Sequence, residues 1–168
     1  MPVIRVSLKQ EAAIISACRE HERQHWREKN YRRCVATEDF FVKFGSYKSM
    51  YPQYVTQKYI SQFAAMDPDA PHIPEVYHFF TESLTPDFQM AYLVMERLEL
   101  VPTSDQDLSQ RAAQALRWLH NLPVPAEAAI GSLGGGRAMH VLFKNYTAPL
   151  HFSSIEALER YMNKVRPR

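Results

Sequence analysis

The chain has 168 residues, 46% of them hydrophobic and 23% charged, with a formal net charge of +2. That length is enough for one domain with a real core, and the charge is too small to argue for a nucleic-acid partner. No apolar run approaches the roughly 18 residues of a membrane span. The N-terminus lacks the apolar core of a secretory signal. Two cysteines, Cys18 and Cys34, have no CxxC spacing and fit reduced thiols in a cytoplasmic protein. Basic residues gather at Arg27, Lys29, Arg32 and Arg33, and again at Lys164, Arg166 and Arg168, and read as solvated faces.

In chain order, Val3 to Val6 is a short strand or an extended arm. Ser7 precedes Gln10 by three, the spacing of a capping box, and predicts a helix from Leu8 to about Glu28. Its apolar stripe is clear at Ala12, Ile15 and Cys18 and weakens afterwards. Inside it lies His21-Glu22-Arg23-Gln24-His25, a formal HExxH. On a helix the two imidazoles share a face, where they could hold zinc while the glutamate activates water. Charged neighbours (Arg19, Glu20, Arg23) and the lack of a marked third ligand beyond Glu38 or Glu75 point instead to a solvated face.

Tyr31–Ala36 and Phe40–Phe44 predict a hairpin around Thr37-Glu38-Asp39. Lys43 is the one cation in the second strand. Its ammonium costs free energy there unless it reaches an anion, or it snorkels to solvent. A helix is expected from Pro52 to about Met66, with Val55, Tyr59, Ile60 and Phe63 inward. Asp67 to Pro74 is a proline-punctuated loop. Glu75–Thr81 reads as a strand, Thr85-Pro86-Asp87 as a turn, and Phe88–Glu96 as the antiparallel return.

That strand ends in Met95-Glu96-Arg97-Leu98, where an edge strand stops or a connector begins. Thr103 or Ser104 caps a helix to about His120, with Leu108, Ala112, Ala115, Leu116 and Leu119 as its core stripe. The glycine cluster Ile130-Gly-Ser-Leu-Gly-Gly-Gly136 reads as a hairpin turn before the strand-like Met139–Phe143. Ser153 or Ser154 then starts a last helix with Ile155, Leu158, Tyr161 and Met162 inward. The fold class is α+β.

A strand lysine, a helix, two strands and the connector Met95–Leu98 arrive in an order that resembles the nucleotide-binding lobe of the protein-kinase-like fold. Pro74-Glu-Val-Tyr77, Ala115-Leu-Arg-Trp-Leu-His-Asn-Leu-Pro123 and Ile130–Gly136 resemble the aminoglycoside-phosphotransferase-like branch common in fungi. Ala148-Pro149-Leu150 stands where that branch tends to have Gly-Pro-Phe. The likeness covers roughly Arg33 to Lys164. It implies a kinase-like antiparallel sheet over 31–100, preceded by an N-terminal helix over 1–30. A helical remainder with the glycine-rich hairpin follows over 101–168, all in a single domain.

The resemblance also assigns roles. Lys43 would meet a phosphate and pair with a glutamate of the following helix. Behind Met95, the carbonyl of Glu96 and the amide of Leu98 would read an adenine edge. The departures are as specific as the likeness. No acidic residue lies between Gly45 and Asp67, and Gln57 stands nearest the glutamate's place. Only Gly45 precedes Gly131, so no glycine-rich loop covers phosphates. The chain ends at Arg168, before the H-G-D-x-x-x-x-N catalytic loop. Phosphoryl transfer needs a positioned base and magnesium ligands.

The expectation is therefore a truncated, catalytically degenerate kinase-like protein that is not an active phosphotransferase. It would be reused, as a homodimer without cofactor, to bind, or to bind and transform, a small organic molecule. An enzymatic version would be a metal-independent enzyme of secondary metabolism. Its acid–base candidates are Lys43, Tyr92, His78, His120 and His140. Its ligand-binding candidates are Lys43, Gln57, Met95, Glu96 and Leu98. The alternatives are a pseudokinase-like interaction module and a zinc hydrolase through His21, Glu22 and His25.

Overall fold

The computed structural model describes residues 6–99, 104–125, 130–143 and 146–165. Val3 to Arg5, Thr103 and the terminal Arg166 and Arg168 lie outside them. Among the described residues the architecture is α+β, with four α-helices and a four-stranded antiparallel sheet. Internal contacts divide the chain into two compact units, Met1–Leu122 and Pro123–Arg168.

Helix α1 spans Leu8–His25. The capping box is formed as expected, with the Ser7 backbone N–H donating to Gln10 Oε1 at 2.9 Å and the Gln10 N–H to Ser7 Oγ at 3.4 Å. The helix stops three residues short of Glu28, and turns follow. The N–H of Glu28 donates to His25 O, and that of Tyr31 to Glu28 O. Those turns also shorten the first strand, so β1 is only Cys34–Ala36. Strand β2 is Phe40–Ser46. Thr37 closes the hairpin by accepting the Phe40 N–H on Oγ1 at 3.0 Å and donating its own N–H to Phe40 O at 2.8 Å.

Helix α2, Tyr47–Ala64, starts five residues before Pro52, because the proline sits inside the helix rather than opening it. Proline has no N–H to give the carbonyl of Lys48, so that hydrogen bond is missing from the second turn. Gly45 makes this junction possible. A Cβ there would sit 3.3 Å from Ser49 Oγ and 3.4 Å from Met50 Cγ, so the bare backbone lets the first turn lie against the strand.

Strand β3 runs Val76–Thr85, longer than the expected Glu75–Thr81, and β4 runs Phe88–Glu96. The sheet order is β1-β2-β4-β3, so β4 returns into the middle and β3 forms one edge. Each face has its own core. On one side Ile14 and Cys18 of α1 pack with Phe40, Val42, Phe44, Met90, Tyr92 and Val94. On the other, Met50 of α2 packs with Ala91, Leu93 and Met95, flanked by Phe41, Tyr54, Val76 and Phe79. Burial on both faces explains why β4 reads as an unbroken apolar run rather than an alternation.

Helix α3 is Asp105–His120, with Ser104 Oγ accepting the Asp107 N–H at 3.3 Å. The spacing of its leucines is helical, but the stripe is not core: Leu108 is 58% exposed and Leu116 66%. What ties α3 down is polar. Trp118 Nε1 donates to Asp67 Oδ2 at 2.7 Å, and the Asp69 N–H donates to Asp67 Oδ1 at 2.9 Å. The indole bond, then the backbone bond, holds the Asp67 carboxyl below the ordinary aspartate range. The tie is thus present above that range and is lost as pH falls through the lowered folded-state value. With Trp26 replaced by phenylalanine, the fluorescence of Trp118 is expected to change on acidification below about pH 4. Asp67→Asn should abolish that transition.

In the second unit the expected strand Met139–Phe143 is not formed. Met139 and Thr147 make an isolated bridge, as do Ile130 and Phe152. Residues 140–143 turn, with the Phe143 N–H donating to His140 O at 3.0 Å. The glycine cluster turns, with the Gly135 N–H donating to Ser132 O at 2.9 Å, but its flanks do not pair with each other as in the expected hairpin: Ile130 bridges to Phe152 and Met139 to Thr147. Gly135 and Gly136 have φ of 83° and 103°, and a Cβ on Gly131 would fall 2.7 Å from the Gly136 carbonyl oxygen. Helix α4, Ile155–Val165, brings Leu158, Tyr161 and Met162 onto a small core of Phe143, Ala148 and Phe152. Ile155, expected inward, is 65% exposed, because the first turn of α4 precedes that contact face.

Candidate functional site

Strand alternation sets which face each candidate serves. Phe40, Val42 and Phe44 face α1, and Phe41 faces α2, so Lys43 lies on the α2 face with Phe41 and Gly45. Lys43 stands opposite Cys34 on one neighbour and Leu93 on the other. It is half-buried, and among the described residues its ammonium makes no hydrogen bond or ion pair. Met95 is buried on the same face, two residues further along β4 than Leu93.

The residue expected to face the lysine is engaged elsewhere. Gln57 Nε2 donates to the Pro74 carbonyl at 2.8 Å, fastening α2 to the loop that enters β3. The carboxylate of Glu96 is also committed. It receives His72 Nε2 at 3.0 Å and the Glu75 N–H at 3.2 Å. The Glu96 N–H donates to Glu75 O at 2.8 Å. Arg97 Nη1 donates to the Thr37 carbonyl at 2.6 Å, so the end of β4 is tied to the β1–β2 turn. Leu98 follows, 42% exposed.

Two other candidates lie on the opposite face. His78 Nε2 meets Glu11 Oε1 of α1 at 2.8 Å. Tyr92 is 2% exposed, stacked on Phe80 at 4.9 Å and Phe44 at 6.4 Å. Its hydroxyl donates to Glu82 Oε2 at 3.2 Å, and Arg19 Nη2 donates to the other oxygen of Glu82 at 2.6 Å. Burial, then the Glu82 carboxylate, pushes the phenol far above its ordinary value, so it keeps its proton at neutral pH. The Cys18 thiol on this face is pushed up to about 12 by burial, with smaller contributions from Cys34 and Glu22. It is a packing residue, not a nucleophile. His120 is exposed in the last turn of α3. His140 belongs to the second unit, where its Nδ1 accepts the Leu142 N–H at 3.2 Å. The sheet therefore separates Lys43 and Met95 from His78 and Tyr92.

The HExxH side chains are on one helix, yet each has a protein partner. His21 Nε2 meets the Arg32 carbonyl at 3.0 Å, which requires a proton on that nitrogen. Glu22 holds Arg33 through contacts of 3.0 and 2.7 Å, and His25 Nδ1 meets Glu28 at 2.7 Å. Among the described residues no three His, Cys, Asp or Glu side chains are gathered closely enough to hold a metal ion. Beside this stretch a groove of about 520 Å³ is lined by Glu22, Trp26, Tyr31 and Arg33. Among the described residues the buried Tyr31 hydroxyl has no hydrogen-bond partner.

The ties Arg19–Glu82 and Glu11–His78 are 63 and 67 residues apart in sequence, and no local spacing marks them. Among the described residues no helix is long and apolar enough to cross a membrane. No family model, no curated protein and no solved structure matches this chain.

Proposed function

We propose that this chain is a catalytically degenerate, kinase-like protein that binds a small organic molecule, works as a cytoplasmic homodimer and does not transfer phosphate. The observation that carries the reading is Lys43: a half-buried residue on the α2 face of the sheet whose ammonium, among the described residues, meets no anion. A cation in that position gains free energy from a ligand that supplies negative charge. The strand order supports a kinase-like lobe, since a helix joins β2 to the edge strand and β4 returns between them. Gln57, bound to Pro74, gives the lysine no counter-charge, so nothing intrinsic orients it for phosphoryl transfer. The ligand class is a small organic anion, with Met95 and Leu98 as apolar contacts. A fold hosts many activities, so the kinase likeness bears on shape more than on chemistry.

The exposed leucines of α3 favour a second reading, a pseudokinase-like interaction module that presents this stripe to a protein. Native mass spectrometry of the purified chain, with and without magnesium-ATP, tests the proposal. A dimer that ignores ATP and takes up other small organic anions is the expected result. ATP uptake by a monomer would instead favour a residual nucleotide lobe, and a chain that binds no small molecule would favour the interaction module.

A further inference from the structure

Strand β3 has ten residues, Val76–Thr85, and among the described residues only β4 lies beside it. Along its outer edge, among the described residues, no backbone N–H or carbonyl of 76–85 meets any group outside the sheet. Natural proteins blunt such edges with charged side chains, especially lysine, with proline, β-bulges, a short strand or a covering element. This edge contains no Lys, Arg or Pro. Bulges between Val76 and His78 and between Ser83 and Thr85 bracket a regular stretch, and Phe80 sits near its middle. Its residues are half-buried or exposed, whereas the central β4 is buried from Met90 to Met95.

We infer that β3 is the dimer interface: the β3 edges of two copies pair antiparallel about a two-fold axis at Phe80, joining two four-stranded sheets into one. This rests on the homodimer reading above and names its surface. The side chains select the register. His78, Phe80 and Glu82 share the α1 face, because His78 meets Glu11, Phe80 packs on the α1 core and Glu82 meets Arg19. Centring on Phe80 sets the imidazole of His78 of each copy opposite the carboxylate of Glu82 of the other, and Phe80 opposite itself. A donor facing a carboxylate and an aromatic pair are favourable cross-strand neighbours. Centring on Glu82 would set two carboxylates together.

A second feature fits the same occupant. A groove of about 570 Å³ lies between α1 and this edge, lined by Ala12, Ile15, Ser16, Arg19 and Glu82 among others. A two-fold axis normal to the sheet keeps both α1 helices on one face. The small residues Ala12 and Ser16 then leave room for the approaching copy. The pairing is isologous, so it closes at two and does not propagate.

Sedimentation velocity over a range of concentrations, with hydrogen exchange of the same samples, tests this on the full chain. The native protein is expected to dimerise, and its Val76–Thr85 amides to gain protection as it does. The variant Thr81→Lys/Ser83→Lys puts two ammonium groups on this edge, the first of them against Phe79 of the other copy, and dimerisation should weaken by about tenfold or more. The variant's melting curve at a dilution where both proteins are monomers reports whether it folds. The exchange result on the native chain stands without the variant. A native chain that stays monomeric overturns both this inference and the homodimer reading. A dimer whose β3 amides gain no protection, and which the two lysines leave intact, overturns the β3 interface alone.

Discussion

Leu93→Ala is expected to lower the stability of the first unit by about 2–5 kcal/mol, the range for truncating a fully buried leucine. Leu93 is 1% exposed at the centre of β4. It stands opposite Lys43 on β2 and Phe79 on β3, and its side chain belongs to the cluster with Met50, Ala91 and Met95. The cavity would open between the sheet and a helix whose Tyr47, Tyr51 and Tyr54 rings pack on Phe79 and hold it in place. Of the residues of α2, only Met50 is fully buried. The neighbours cannot close the space without moving α2, so the loss should fall in the upper part of that range. Urea unfolding followed by the fluorescence of Trp118, with Trp26 replaced by phenylalanine in both proteins, reads the change as a lower midpoint at similar slope. Leu98→Ala, at an exposed position just beyond the same strand, is the control and should change stability by less than about 0.5 kcal/mol. Equal effects for the two leucines would contradict the central position of β4.

The elements that were legible in the sequence are those whose signal is local. Strand β4 begins and ends where its apolar run does, and α1 begins where Ser7 and Gln10 make a capping box. Where tertiary context decides, the reading drifted. Pro52 signals a helix start, but the preceding turn is held against β2 by the bare backbone of Gly45, and the helix begins at Tyr47. The leucines of α3 have core periodicity, which records an amphipathic face but not what covers it. For the site, Lys43 was conspicuous because one charge among aromatic residues breaks a pattern. The fate of its neighbours was not readable. Gln57 turns to Pro74, Glu96 to His72, and the HExxH residues to Arg32, Arg33 and Glu28. Each of those choices depends on a loop geometry that composition does not encode.

Replacing Lys43 by methionine is expected to move stability and binding in opposite directions. Lys43 is half-buried on an apolar face, and among the described residues its ammonium has no anion. Methionine keeps nearly the same length and reach and suits that apolar face, so the fold should gain up to about 1 kcal/mol. If the lysine is kept for a ligand, the same change removes a charge-assisted contact. Such a contact contributes about 1.5–3 kcal/mol, roughly ten- to a hundredfold in Kd. Thermal-shift titration of the native chain and the variant, against a panel of small organic anions that includes magnesium-ATP, measures both quantities in one experiment. A purely structural lysine that snorkels to water predicts a different pair of results: little change in melting temperature and unchanged affinity for every anion in the panel. A stabilised variant that has lost the response to an anion would place the ligand on the α2 face. His78→Gln on the α1 face should leave that response intact, since the sheet lies between the two side chains.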